Sequence, residues 1–219
     1  IDFENLDFGS VFSDHMFSCS YVDGKWNNGI IEPYKPILID PSARSLHYGQ
    51  ACFEGMKAYK DKNGKTWLFR PLENYKRISK SCERLAMPVP NKEIFIEGIR
   101  KLVELDKDWV KPGLGNSLYI RPFIFADQPS INANEANQYK FMIICTPAKL
   151  YYSGKVKVKI EKSYSRAAKG GVGYAKAAGN YAAQFYPTML ARDRGFQQII
   201  WTDSSSHEYI EEAGTMNLF

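Results

Sequence analysis

RAAKGGVGYAKAAGNYAAQFYPTMLARDRG, residues 166–195, is the stretch on which the reading turns. Gly170, Gly171, Gly173 and Gly179 crowd around Lys176. Glycine lets a backbone take positive φ or come close to a ligand. From Tyr181 the residues become helix-compatible and run to Arg194, with Gly195 as the stop. Lys176 therefore sits on a tight, small-residue segment just before a helix. Two readings follow. Lysine is mostly exposed, so Lys176 can be a surface residue of a glycine-rich loop. A buried lysine instead loses proton affinity, and its neutral amine can attack an aldehyde to give a Schiff base. Spacing alone does not decide between them. It does exclude two phosphate cradles. Lys176 is followed by Ala177, not by the Ser or Thr of a P-loop, and Gly171-Val172-Gly173 lacks the third glycine of a dinucleotide turn.

Outward from this stretch, the 219 residues suffice for one large domain or somewhat more. Apolar residues make up 44% and aromatics 14%, a globular composition with a sizeable core. The net charge of +5 is mild, and acids and bases are interleaved. That argues against a nucleic-acid partner and suits an enzyme with anionic ligands. Cys19, Cys52, Cys82 and Cys145 are far apart, which suits free thiols in a reducing, cytoplasmic setting, although the spacing leaves a disulfide open. His15, His47 and His207 have no metal-ligand spacing, so no metal is expected. No apolar run reaches the ~20 residues of a membrane span.

Met16–Tyr21 is the best early strand. Residues 51–59 and 66–69 read as two strands about the turn at 61–65. Pro71 opens a helix to about Ala86, with Ile78, Cys82 and Leu85 inward. Asn91 caps a second helix, 92–107, whose stripe is Ile96, Ile99, Leu102 and Val103. Residues 117–125 and 139–146 are strand-like, with a polar loop at 127–138. Residues 151–154 read as a linker. Lys155–Glu161 alternates, which predicts a half-buried strand with Val156, Val158 and Ile160 inward and Lys155, Lys157 and Lys159 in solvent. Residues 198–202 form a short strand, 203–207 a polar turn, and the chain stops at Phe219 inside what reads as another strand. Strands, then two helices, then strands give an α+β pattern with a segregated helix layer.

Five stretches in order resemble the branched-chain amino-acid aminotransferases, pyridoxal-phosphate enzymes of fold type IV: LHYGQACFEGMKAY at 46–59, LFRPLENYKRI at 68–78, SLYIRPF at 117–123, GGVGYAKAAGNYA at 170–182 and EAGTMNLF at 212–219. The resemblance implies two domains. A small α/β N-terminal domain would span 1–150, and residues 155–219 would begin a larger, β-rich cofactor domain. Family members continue past the position of Phe219, so the natural chain is expected to continue too.

The resemblance also assigns roles. Lys176 resembles the lysine that forms the Schiff base with pyridoxal 5'-phosphate. Arg77 resembles the arginine on its phosphate, Tyr181 the tyrosine on its phenolic oxygen, and Glu212 the glutamate on its ring nitrogen. Thr215 and Gln198 match positions near the cofactor. Tyr48, Phe53, Tyr119, Arg121 and Tyr151 match the substrate pocket. The implied reaction moves an amino group between leucine, isoleucine or valine and 2-oxoglutarate or glutamate, in a homodimer with no membrane partner. A D-amino-acid aminotransferase or aminodeoxychorismate lyase of the same fold, or a non-catalytic module, are the alternatives.

Overall fold

The computed structural model describes Phe3, residues 6–150 and residues 154–218. The chain divides into two compact units, Ile1–Tyr151 and Tyr152–Phe219.

In the first unit the two longest strands are β7 (Ser117–Ala126) and β8 (Tyr139–Ala148). Both are rich in β-branched and aromatic residues, and they pair along their full lengths. Around them an eight-stranded antiparallel sheet is ordered β2-β1-β8-β7-β5-β6, with β3 added to β1 and β4 added to β7. The remaining strands are β1 (His15–Val22), β2 (Lys25–Trp26), β3 (Ile30–Pro33), β4 (Ala51–Phe53), β5 (Met56–Lys60) and β6 (Thr66–Leu68).

The period of two sorts β7. Leu118, Ile120 and Ile124 join the core, while Tyr119, Arg121 and Phe123 take the opposite face. Helices α2 (Pro71–Arg84) and α3 (Lys92–Leu105) complete that core with Ile78, Cys82, Phe95, Ile99 and Leu102, all fully buried. Such side chains contribute about 1.5–3 kcal/mol each through burial. Phe95 stacks on Phe141 at 5.9 Å, an anchor that the expected α3 stripe omitted. Ile96 of that stripe is only half-buried.

Four local differences from expectation have physical reasons. The strand expected over 51–59 is broken into β4 and β5 at Glu54-Gly55. The register across the break is unchanged, and it puts Glu54 opposite Pro122. Glu54 N donates to the Pro122 carbonyl at 2.7 Å, but proline has no N–H to return, so the ladder lapses there. A five-residue helix, α1 (Arg44–Tyr48), was not expected; the buried Arg44 side chain holds it against the 127–138 loop through the carbonyls of Asn134 and Glu135. Asn91 stands at the N-cap of α3 without a side-chain cap bond. Helix α3 ends at Leu105, and the chain goes on as a 3₁₀ turn, Lys107–Trp109.

The second unit is a three-stranded sheet ordered β11-β10-β9, made of β9 (Val158–Ile160), β10 (Gln198–Thr202) and β11 (Ile210–Ala213). Strands β9 and β10 are parallel, and the crossover between them contains α4 (Ala178–Asp193). Parallel neighbours need such a crossover. Ala191, Ile199 and Trp201 make its core.

Helix α4 starts three residues before the expected Tyr181, and it carries Pro187 in its interior. Strand β9 is shorter than expected; Lys155 and Lys157 are exposed and Val156 and Val158 half-buried as expected, but at its end the faces swap, with Ile160 exposed and Lys159 half-buried. Glu161, which ends the strand, explains this. Its carboxylate is buried and draws in Lys159 Nζ at 2.6 Å. The last strand stops at Ala213, and Gly214–Met216 bend away.

All four cysteines are buried free thiols. Among the described residues no helix is long and apolar enough to cross a membrane, and no group of three or more His, Cys, Asp and Glu side chains could hold a metal ion.

Candidate active site

Lys176 lies on the loop that leaves β9 and enters α4, between the buried Ala175 and Ala177. Two glycines of that loop are obligatory. Gly170 has φ +77°, and a Cβ on Gly173 would lie 2.3 Å from the Ala167 Cβ. Gly179 shows neither constraint. Asn180, buried in the first turn of α4, clamps the loop by donating from Nδ2 to the carbonyls of Val172 and Ala175, each at 2.9 Å.

The lysine is half-buried. Its Nζ donates to Tyr181 Oη at 2.7 Å, and it stands 5.2 Å from the centroid of that ring. Five residues separate the two, so the loop-to-helix junction alone brings them together.

Glu212 stands on β11 opposite Trp201 of β10. Its carboxylate forms an ion pair with Arg166 Nε, and Arg166 Nη1 donates to the Gly173 carbonyl at 2.8 Å. Arg166 thus ties the acid to the lysine's loop. Burial pushes the Glu212 carboxyl above its ordinary value of 4.5, while the positive charges of Arg166 and Lys176 pull it down. Gln198 Nε2 donates to Thr215 Oγ1 at 2.5 Å. In the second unit, then, Lys176 meets Tyr181, Gln198 meets Thr215, and Glu212 meets a residue that was not expected at the site.

In the first unit Phe53, Tyr119 and Arg121 come together on the sheet face opposite the core. The Arg121 guanidinium lies 4.5 Å from the Phe53 ring centroid and 5.2 Å from that of Tyr119. Arg121 Nη2 donates to Tyr119 Oη at 2.9 Å, and Phe8 meets the Tyr119 ring edge-on at 5.0 Å. A Cβ on Gly55 would lie 2.0 Å from Tyr119 Oη, so only glycine leaves room for that hydroxyl. Arg121 Nε is buried and has no hydrogen-bond partner among the described residues. Tyr48 is engaged elsewhere: its hydroxyl donates to the Ile131 carbonyl in the 127–138 loop. Arg77, on α2, forks onto the carboxylate of Glu54, Nε to Oε1 at 2.6 Å and Nη2 to Oε2 at 2.8 Å. Tyr151 lies outside the described residues.

The model of the family "Amino-transferase class IV" matches residues 51–219. The chain belongs to that family. Along its whole length it is 45% identical to "Branched-chain-amino-acid transaminase 1" of Bacillus subtilis (strain 168) and 47% identical to a "Probable branched-chain-amino-acid aminotransferase" of Staphylococcus epidermidis, and it spans 63% and 62% of those relatives.

Solved structures agree with this class IV fold. The branched-chain amino acid aminotransferase from Escherichia coli aligns with a TM-score of 0.70 at 25% identity, over 92% of this chain and 61% of that one. The T.th. enzyme complexed with N-(5'-phosphopyridoxyl)-L-glutamate aligns with a TM-score of 0.69 at 25% identity, over 89% of this chain and 61% of that one. Within this class IV chain, sequence reasoning missed Arg166. A signal was present: it is a long cation embedded in the same small-residue run as Lys176.

Proposed function

We propose that the protein is a branched-chain-amino-acid aminotransferase that uses pyridoxal 5'-phosphate to move an amino group between leucine, isoleucine or valine and 2-oxoglutarate. The Lys176–Tyr181 contact of 2.7 Å carries this reading. It sits in a chain 45% identical throughout to a named branched-chain transaminase.

The cofactor has an aldehyde beside a phenolic oxygen, a ring nitrogen and a phosphate. An amine and a phenol side by side match the first pair, and the Glu212 carboxylate matches a protonated ring nitrogen by charge. When bound, the cofactor supplies an electron sink for breaking the C–H bond at the amino acid's α-carbon. Lys176 Nζ takes that proton and returns it, acting as general base and then acid. Tyr181 Oη, which accepts from Nζ, fixes where the amine waits. Arg77 holds phosphate oxygens, for which a guanidinium fork that never deprotonates is suited. Gln198 and Thr215, which brace each other by a hydrogen bond, are read as further contacts to the cofactor.

Phe53 and Tyr119 supply an apolar wall that takes aliphatic side chains by burial, at about 0.8 kcal/mol per CH₂. Arg121 meets the distal carboxylate of glutamate. We read the working form as a cytoplasmic homodimer.

The test uses the full-length protein with pyridoxal phosphate, leucine and 2-oxoglutarate, and measures glutamate formed. Turnover that disappears in Lys176→Ala is the expected result. Turnover of D-alanine in place of leucine would move the protein to the D-amino-acid group, and no turnover with either would sink the reading.

A further inference from the structure

Glu54 is the most completely buried carboxylate near the assigned residues, and no role has been given to it. Its side chain is 0% exposed, while that of Arg77 is 50% exposed. A buried charge must be answered by donors, and Glu54 collects four. Arg77 gives Nε at 2.6 Å and Nη2 at 2.8 Å, Asn74 Nδ2 gives one at 2.8 Å, and Gly55 N gives one at 3.2 Å. Arg77 and Asn74 lie one turn apart on α2, and Glu54 lies where Pro122 breaks the ladder. The sheet thus supplies a fixed anion and the helix brings a cation to it.

Two parallel bonds fix the plane of a guanidinium as well as its place. An arginine on a helix surface otherwise carries about 2 kcal/mol of rotamer entropy, which a ligand would have to overcome. Here one edge of the fork is committed to Glu54, and the edge carrying Nη1 is turned away from it.

We propose that Glu54 is a positioning residue: it holds the Arg77 guanidinium in the orientation that receives the cofactor phosphate. This rests on the reading of Arg77 as the phosphate-binding arginine. A competing effect has the opposite sign, because a neighbouring carboxylate weakens the arginine's pull on an anion. Asn74 Nδ2 and Gly55 N share the Glu54 charge with Arg77, so part of the arginine's pull remains and orientation outweighs the loss.

The experiment compares two probes on the full-length protein freed of cofactor: pyridoxal phosphate, and pyridoxal, which lacks the phosphate. Equilibrium dialysis gives both affinities for the wild type, for Glu54→Gln, and for the double variant Glu54→Gln/Arg77→Gln, which leaves no stranded charge. Glu54→Gln should cut the preference for the phosphorylated probe about tenfold, the difference between a charged and a neutral hydrogen-bonded hold. Its affinity for pyridoxal should stay unchanged. The double variant should lose nearly all of the preference.

A purely structural role for Glu54 would weaken both probes equally and overturns the inference, as does an unchanged or increased preference in Glu54→Gln. A double variant that keeps the full preference overturns the assignment of Arg77 itself, and the inference with it. Should Glu54→Gln fail to fold by circular dichroism, Asn74→Ala decides instead. It loosens Glu54 without touching Arg77, and a smaller loss of the same ratio is expected.

Discussion

Two arginine–glutamate pairs, one in each unit, are built opposite ways round. In the first unit the acid is hidden and the base shown: the Glu54 side chain is 0% exposed and that of Arg77 50%. In the second the base is hidden and the acid shown: Arg166 is 9% exposed and Glu212 42%. An ion pair wholly in water contributes little, and one wholly buried often loses more by desolvation than it gains. A pair with one buried partner does something else. The buried partner is fixed by its surroundings, and it fixes the displayed partner. The first unit thereby offers a held cation, suited to an anionic group. The second offers a held anion, suited to a protonated nitrogen.

Breaking either pair from its displayed side strands the hidden ion, so those effects should be largest. Arg77→Ala leaves the Glu54 carboxylate in the core with Asn74 and Gly55 N alone, and should cost about 3–5 kcal/mol in urea unfolding of the full-length protein. Glu212→Ala strands Arg166, which keeps its bond to the Gly173 carbonyl, so a smaller loss of about 2 kcal/mol is expected. Equal losses would mean that the Gly173 carbonyl does not compensate the stranded Arg166.

A third pair sharpens the contrast because it displays nothing. Glu161, 1% exposed, binds the partly buried Lys159 and the N–H groups of Lys162, Ser163 and Tyr164. Burial pushes its carboxyl up, but Lys159 and the backbone donors outweigh that and hold it below the ordinary 4.5. An acid held low in the folded state adds stability above its unfolded value and loses it as pH falls through the folded one. Glu161→Gln should therefore cost about 1–2 kcal/mol at neutral pH. The gap to wild type should close as pH drops below 4.5. A gap that stays constant with pH would show that the charge of Glu161 is not what holds the turn.

The smallest effect belongs to Arg166→Gln. It removes the hidden ion itself, leaves a half-exposed acid and gives up the bond to the Gly173 carbonyl, and should cost about 1 kcal/mol. A loss as large as that of Glu212→Ala would erase the distinction between hidden and displayed partners.

These pairs also show what could be read from the chain before folding. Lys176 and Tyr181 are five residues apart, and the glycines before them announce the turn that joins them. Tyr119 and Arg121 are two apart on a strand, so the period of two places them on one face. The core stripe of α3 is legible for the same kind of reason, since Ile99, Leu102 and Val103 repeat at helical spacing and are buried. Glu54 and Arg77 are 23 residues apart, and Arg166 meets Glu212 only once β11 has paired with β10. Neither partner follows from local spacing. The alternation at 155–158 is as read, with Lys155 and Lys157 exposed and Val156 and Val158 half-buried, and it fails only at Lys159 and Ile160, because a period of two counts faces without knowing that a buried acid waits at Glu161. The break between β4 and β5 was hidden for a related reason: its cause, Pro122, lies on a different strand.

Pro122 has one more consequence. A residue with an N–H in its place would complete the ladder and give β4 and β5 one continuous strand, a gain in sheet stability. The same repair would draw the Glu54–Gly55 peptide into line with its neighbours, and with it the acid that grips α2 and the glycine that admits the Tyr119 hydroxyl. Stabilising changes of this kind often cost function where a site depends on an imperfection. A sheet with no flaw at this point would be a sturdier protein and a poorer seat for Arg77 and for the Tyr119–Arg121 pair.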